Sequence, residues 1–426
     1  MIRKGTILLG LLLALSGIGA VKAETAPPRI ERATVSGMTL LAQRTNSNLV
    51  EVTLLLKSGS GLDPKRGSAI LVNQFVGVML DYDRLRSGWL ETAIETNPDY
   101  TLVKIQTPAR GLKSVLQAIK EMLTYPLYNY DFAFDLKSLI SANLKALPPF
   151  WKSHDYFNRE FYGANHPYND SLDSVAIESV NGNDVFKWHR LTYRPGNAIL
   201  SVSGDFKENI KYLQKFFRDI PSGTIDNRLM VKPVVLGKSG QFQAVDLNGR
   251  VAAISIGYPA PRLKDPEFPA FKIIAYYLEE YFHYFEELRV KEGLIYAGFA
   301  NYNYLGKPNA PHIVFLTMTE PKLLNRVETR TVEVLKKISE SGLEQSEIEA
   351  VIKAMKARSS IDREDGKGLA TVNALSYYLE TQLVYDQNLM VKLEQVTTAD
   401  IKKAAAKYFQ NYIRVAYLPK DNDFKK

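Results

Sequence analysis

"VNGNDVFKWHRLTYRPGNAILSVSGDF" (residues 180–206) and "VTTADIKKAAAKYFQNYIRVAYLPKD" (396–421) read as one unit written twice. Each predicts an N-capped amphipathic helix, then a turn, then a β-rich run ending in another turn. Asp184 aligns with Asp400, Lys187 with Lys403, and Tyr193 with Phe409. Repetition at this separation is a statement about architecture, so the rest of the chain is read for a second pair.

The pair lies upstream. "VEVTLLLK" (50–57) and "VAAISIGY" (251–258) read as strands, each followed by a loop, an Asp-Pro step (Asp63-Pro64 and Asp265-Pro266) and a helix. Between the first and last units of each half the chain is mainly helical: 111–126 and 131–147 in one half, 323–341 and 345–361 in the other. Strands first, helices in the middle and a helix plus strand to close favour an α+β sandwich over a doubly wound sheet. The expected division is 28–225 and 226–426, with the Pro-, Gly-, Ser- and Asp-bearing stretch 219–235 as linker.

Composition narrows the setting. Arg3 and Lys4, the apolar run "TILLGLLLALSGIGA" and the small-residue end at Ala23 have the form of a secretory signal peptide, residues 1–23. Its removal takes Arg3, Lys4 and Lys22 with it and lowers the formal charge from +8 to +5. That mild basicity, without a basic block, gives no support to a nucleic-acid partner. No second long apolar segment follows, so no membrane span is expected in the mature chain, and a periplasmic or secreted location is. The 426 residues include no Cys, so the exported chain relies on its cores rather than on disulfides.

The segment "DPKRGSAILVNQFVGVML" (63–80) carries the chemical question. Asp63 is placed to cap a helix and Pro64 suits its first position. Ala69, Leu71, Val72, Phe75, Val76 and Met79 give an apolar face at helical spacing, and two neutral amides, Asn73 and Gln74, sit in the middle.

"FYGANHPYNDSLDSVAIESVNGNDVFKWHRLTYRPGNAILSVSGDF" (161–206) and "LRVKEGLIYAGF" (288–299), in this order after the strand, Asp-Pro loop and helix, resemble the M16 peptidases. These inverzincins include mitochondrial processing peptidase subunits, pitrilysin-type enzymes and bacterial two-subunit proteases. The resemblance covers nearly all of the mature chain. It implies two similar α+β sandwich domains in tandem, forming one half of a clam-shell around a peptide chamber. Active members carry H-x-x-E-H on the first-half helix: two His bind Zn²⁺ and the Glu works on the metal-bound water as general base. Here Ile70 and Gln74 hold the His positions and Asn73 the Glu position. Isoleucine has no lone pair, and neither amide is a base near neutral pH. The stretch where a third ligand is expected, 135–147, has Asp135 but no Glu, and the five His form no HxxEH or HxxxH pair.

What the resemblance leaves is binding. Subunits without zinc typically keep an Arg and a Tyr that reach into the partner's site, and Arg289 and Tyr296 occupy those positions. The Arg would hold peptide carbonyls and the Tyr would lie beside the scissile region. His166, in the family's HPY element, is expected to be an architectural loop residue. The expected protein is a catalytically inactive subunit that pairs as a heterodimer with a zinc-bearing M16 subunit, with zinc only in that partner and unfolded peptide as substrate. The alternative is a homodimeric peptide-binding or scaffold protein without proteolysis.

Overall fold

The computed structural model describes residues 29–124, 130–163, 166, 168–169, 174–223, 240–246, 251–281, 284–304, 310–364, 368–379 and 385–420. The expected signal peptide and the expected linker from residue 224 onward lie outside them.

Two mixed sheets organise the chain. The first contains β1 (Glu31–Val35), β2 (Met38–Arg44), β3 (Leu49–Leu56), β4 (Glu91–Thr96), β5 (Thr101–Pro108) and β6 (Ala198–Gly204) in the order β1-β2-β6-β3-β5-β4. The second contains β7 (Gly240–Asp246), β8 (Ala252–Pro259), β9 (Ala297–Asn303), β10 (His312–Thr319) and β11 (Ile413–Pro419) in the order β7-β11-β8-β10-β9. Without β1, the two orders are the same path traced twice. The closing strand is parallel to the opening one in both, β6 to β2 and β11 to β7, and the remaining neighbours are antiparallel.

The first half's helices are α1 (Ser68–Ser87), α2 (Leu112–Thr124), α3 (Tyr130–Lys145), α4 (Pro149–Tyr162), α5 (Ser174–Ser179), α6 (Gly182–Thr192) and α7 (Ile210–Phe217). The second half adds α8 (Phe268–Tyr276), α9 (Tyr284–Glu286), α10 (Leu324–Ser341), α11 (Gln345–Glu364), α12 (Leu369–Tyr378), α13 (Tyr385–Glu394) and α14 (Thr398–Tyr408). The repeat seen in the sequence is repeated in detail. Helix α6 starts with a reciprocal cap between Asn181 and Asp184, and α14 with the same exchange between Thr397 and Asp400. Tyr193 and Phe409 end the two helices as C-caps.

Side-chain alternation on the strands builds two faces per sheet. In the first sheet Leu40, Val52, Leu54, Val103 and Leu200 face the helices of their own half. Leu41, Leu55, Leu102 and Ile199 point the other way and are covered by Ala374 and Tyr378 of α12, a helix of the second half. The second sheet does the converse. Ile254, Ile256, Ile313 and Phe315 face their own helices, whereas Val314, Leu316, Ile413 and Val415 meet Phe157, Phe161 and Tyr162 of α4. Each half thus lends a helix to close the open face of the other's sheet. The exchange is tied by polar contacts, Thr53 Oγ1 to Thr371 Oγ1 at 2.9 Å and Ser153 Oγ to Ser255 Oγ at 2.6 Å. Buried Glu51 accepts from the Ala370 N–H at 2.9 Å, and Asn373 donates to Gln43 at 2.7 Å.

Candidate functional site

Helix α1 begins four residues later than its Asp-Pro step suggests. Gly67, with φ of 97°, is its N-cap. Asp63 reaches across the intervening turn and still caps it, accepting from the N–H groups of Gly67 at 3.0 Å and Ala69 at 2.8 Å. Burial pushes the Asp63 carboxyl up to about 7, against the pull of those backbone donors.

Along this helix the three motif positions have separate fates. Ile70 is half-buried, Gln74 is exposed, and Asn73 is 3% exposed. The Asn73 amide nitrogen donates to Thr96 Oγ1 at 2.7 Å and Thr101 Oγ1 at 3.3 Å, while its oxygen accepts from the Tyr193 hydroxyl at 2.7 Å. Thr101 donates in turn to the Ser58 carbonyl at 3.0 Å. Asn73 is therefore the knot joining α1, β4, β5 and the end of α6, and its hydrogen-bonding groups are committed. Sequence reasoning missed this role. Tyr193 is 120 residues away, and no local spacing announces the pair.

These residues do not fit a zinc ion. The half-buried Ile70 offers no donor atom, and the Asn73 amide is a poor zinc ligand whose nitrogen and oxygen are both already bonded within the protein. Among the described residues, no group of three or more His, Asp or Glu is placed to hold a metal. Asp135 is exposed on α3, and His166 folds back so that its Nδ1 accepts from the Tyr168 N–H at 3.0 Å.

Beside the knot lies a small open cavity of about 170 Å³, with Gln74, Asp81, Thr92, Ile94 and Thr96 in its wall. Asp81 accepts from Thr92 Oγ1 at 2.5 Å and from Arg84 at 3.2 Å, and these bonds hold its carboxyl below the usual carboxylate range. One side of the cavity is β4, the terminal strand of its sheet, which among the described residues pairs with β5 alone. Its other edge carries backbone N–H and C=O groups free to pair with an extended chain.

Arg289 and Tyr296 sit at the corresponding corner of the second half, where the helical segment runs into the terminal strand β9. A π-helical turn, Glu287–Lys291, carries Arg289. Gly293, at φ of 62°, turns the chain, and the Leu294 N–H returns to the Leu288 carbonyl at 2.8 Å. Leu288, Leu294 and Ile295 are buried beneath, while Arg289 is exposed and Tyr296 is 48% exposed. The Tyr296 N–H pairs with the Met318 carbonyl at 2.8 Å, and its hydroxyl donates to Glu320 at 3.4 Å. No hydrogen bond or ion pair among the described residues joins this corner to Asn73 or Gln74. The bulky acidic stretch 279–283 preceding it lies partly outside the described residues.

The aromatic-rich segment 148–162 divides. Phe157, Phe161 and Tyr162 are core between the halves, and Trp151 is 37% exposed beside Phe299. The segment 125–129 lies outside the described residues.

Comparison with known proteins follows the same lines. The family model for the peptidase M16 inactive domain matches residues 179–355. A protease from Helicobacter pylori superposes with a TM-score of 0.83 at 19% identity, over 92% of this chain and 100% of the other. The peptidase M16 inactive domain from Pseudomonas fluorescens gives 0.79 at 14% identity, over 92% and 98%. The periplasmic protease PqqL from Escherichia coli gives 0.72 at 16% identity, matching 98% of this chain but 49% of its own. No curated protein gives a significant sequence match. Residues 179–355 thus match the peptidase M16 inactive domain, the twice-traced sheet path is the fold of M16 peptidase structures, and Ile70, Asn73 and Gln74 stand where the HxxEH motif would lie.

Proposed function

We propose that this chain is the non-catalytic subunit of a two-subunit peptidase in the periplasm or outside the cell. It pairs with a zinc-bearing M16 subunit, forms half of the peptide chamber, and grips unfolded peptide through Arg289 and Tyr296. The observation that carries this reading is the knot at Asn73: the residue in the general-base position is bound up in structure, leaving this chain binding but not hydrolysis. Zinc, the activated water and the base belong to the partner. The open edge of β4 beside Gln74 offers a second place for an extended peptide. PqqL supports the pairing by size, because this chain matches about half of that protease. The apolar N-terminal run supports export, and no helix among the described residues is long and apolar enough to cross a membrane.

The test is reconstitution. The mature chain is mixed with an exported M16 protein that carries HxxEH, and hydrolysis of a fluorogenic unfolded peptide is followed. Activity is expected only in the mixture. Arg289→Ala should reduce kcat/KM about tenfold, the worth of a charge-assisted hydrogen bond, while the pair still co-elutes. A stable homodimer that binds peptide and ignores such a partner would favour the scaffold reading instead.

A further inference from the structure

Arg289 lies among acids. Glu287 is two residues before it and Glu292 three residues after it. On a helical turn, a carboxylate three positions away is within reach of a guanidinium, and such a pair would occupy the fork that a ligand needs. Glu287 and Glu292 are both already taken. The Lys291 ammonium holds Glu287, with 2.6 Å between Nζ and Oε1. Glu292 receives two prongs from Arg330 of α10, Nε at 2.9 and 3.1 Å from its two oxygens and Nη2 at 2.9 Å from the first. Glu320, beneath the Tyr296 hydroxyl, is paired with Lys322 at 2.7 Å. Arg289 is left exposed, without an ion-pair or hydrogen-bond partner among the described residues.

Glu292 is the acid that matters most. It sits just beyond the carbonyl end of the π-helical turn, where the backbone dipoles repel a carboxylate and favour its reaching for any nearby cation. Arg330 provides that cation from another helix. Its third prong, Nη1 to Glu333 at 2.7 Å, fixes the guanidinium plane along α10. We propose that Arg330 is a positioning residue: by holding Glu292 it keeps Arg289 unpaired and available to a peptide carbonyl or carboxylate. This rests on Arg289 being a peptide contact, as argued above.

The experiment uses the full mature chain and two readouts. Nuclear magnetic resonance of the arginine Nε–H groups reports whether Arg289 is paired. Fluorescence anisotropy of a fluorescein-labelled casein peptide reports binding. In Arg330→Gln, the Arg289 Nε–H should become protected from exchange and peptide affinity should fall about tenfold. Adding Glu292→Gln to that variant removes the competing acid and should reverse both changes, which a merely structural loss of the fork would not do. The proposal is overturned if Arg289 stays unpaired in Arg330→Gln, or if the double variant binds as weakly as the single one. If the resonance changes occur but neither they nor Arg289→Ala alter peptide affinity, the lock stands and the peptide-contact role of Arg289 falls.

Discussion

Asn73 uses both amide hydrogens and its oxygen inside the protein, on Thr96, Thr101 and Tyr193. Truncation would strand the buried Tyr193 hydroxyl and remove the Thr96 partner, while Thr101 keeps its bond to Ser58, and each stranded group costs about 1–3 kcal/mol. Asn73→Ala should therefore lower unfolding stability by about 2–4 kcal/mol in urea titration, with the slope of the transition unchanged. Gln74, one residue on and exposed, gives the contrast: Gln74→Ala should stay within about 0.5 kcal/mol of the parent. At this scale the sequence is half legible. Residue chemistry alone shows that Ile70, Asn73 and Gln74 cannot form the zinc set. That Asn73 is structural and Gln74 faces a cavity depends on which side of α1 meets β4, and that is set by contacts far away in the chain.

The helices divide in the same manner. The capped units 181–192 and 397–408 are readable because both partners of each cap lie three residues apart, as are the strand–loop–helix openings. The destination of α4 is not. Its aromatic residues at helical spacing state that one face is buried, not that the sheet burying it belongs to the other half. The fit there is close. A Cβ on Gly257 of β8 would come within 2.2 Å of the Phe157 ring, so glycine is what lets α4 lie against the strand. Gly257→Ala should push Phe157 off the sheet and cost about 1–3 kcal/mol, read as a lower thermal midpoint with faster hydrogen exchange in 149–162.

Taken whole, the molecule holds together through the α4 and α12 exchanges, and one of these carries buried imidazoles. His312 and His154 are driven down to about 3 and about 4, burial being the main cause in each, with their mutual repulsion adding to it for His312. The unfolded chain, with imidazoles near 6.5, takes up these protons first. Stability is therefore complete above about pH 6.5 and is lost as pH falls toward 4, by up to about 1.4 kcal/mol per pH unit for each histidine. His312→Gln, which can keep a hydrogen bond to Tyr162, should flatten that slope by the contribution of one group in pH-dependent denaturation. The exchange of helices also bears on how the protein is made. Thr53 finds Thr371 across 318 residues, so a nascent chain that has completed every strand of the first sheet still has one apolar face of it bare. Formation of that face must wait for almost the whole polypeptide, which makes folding slow and late. Until residue 378 has been made, Leu41, Leu55 and Ile199 lack the α12 side chains that cover them and form an aggregation-prone apolar patch.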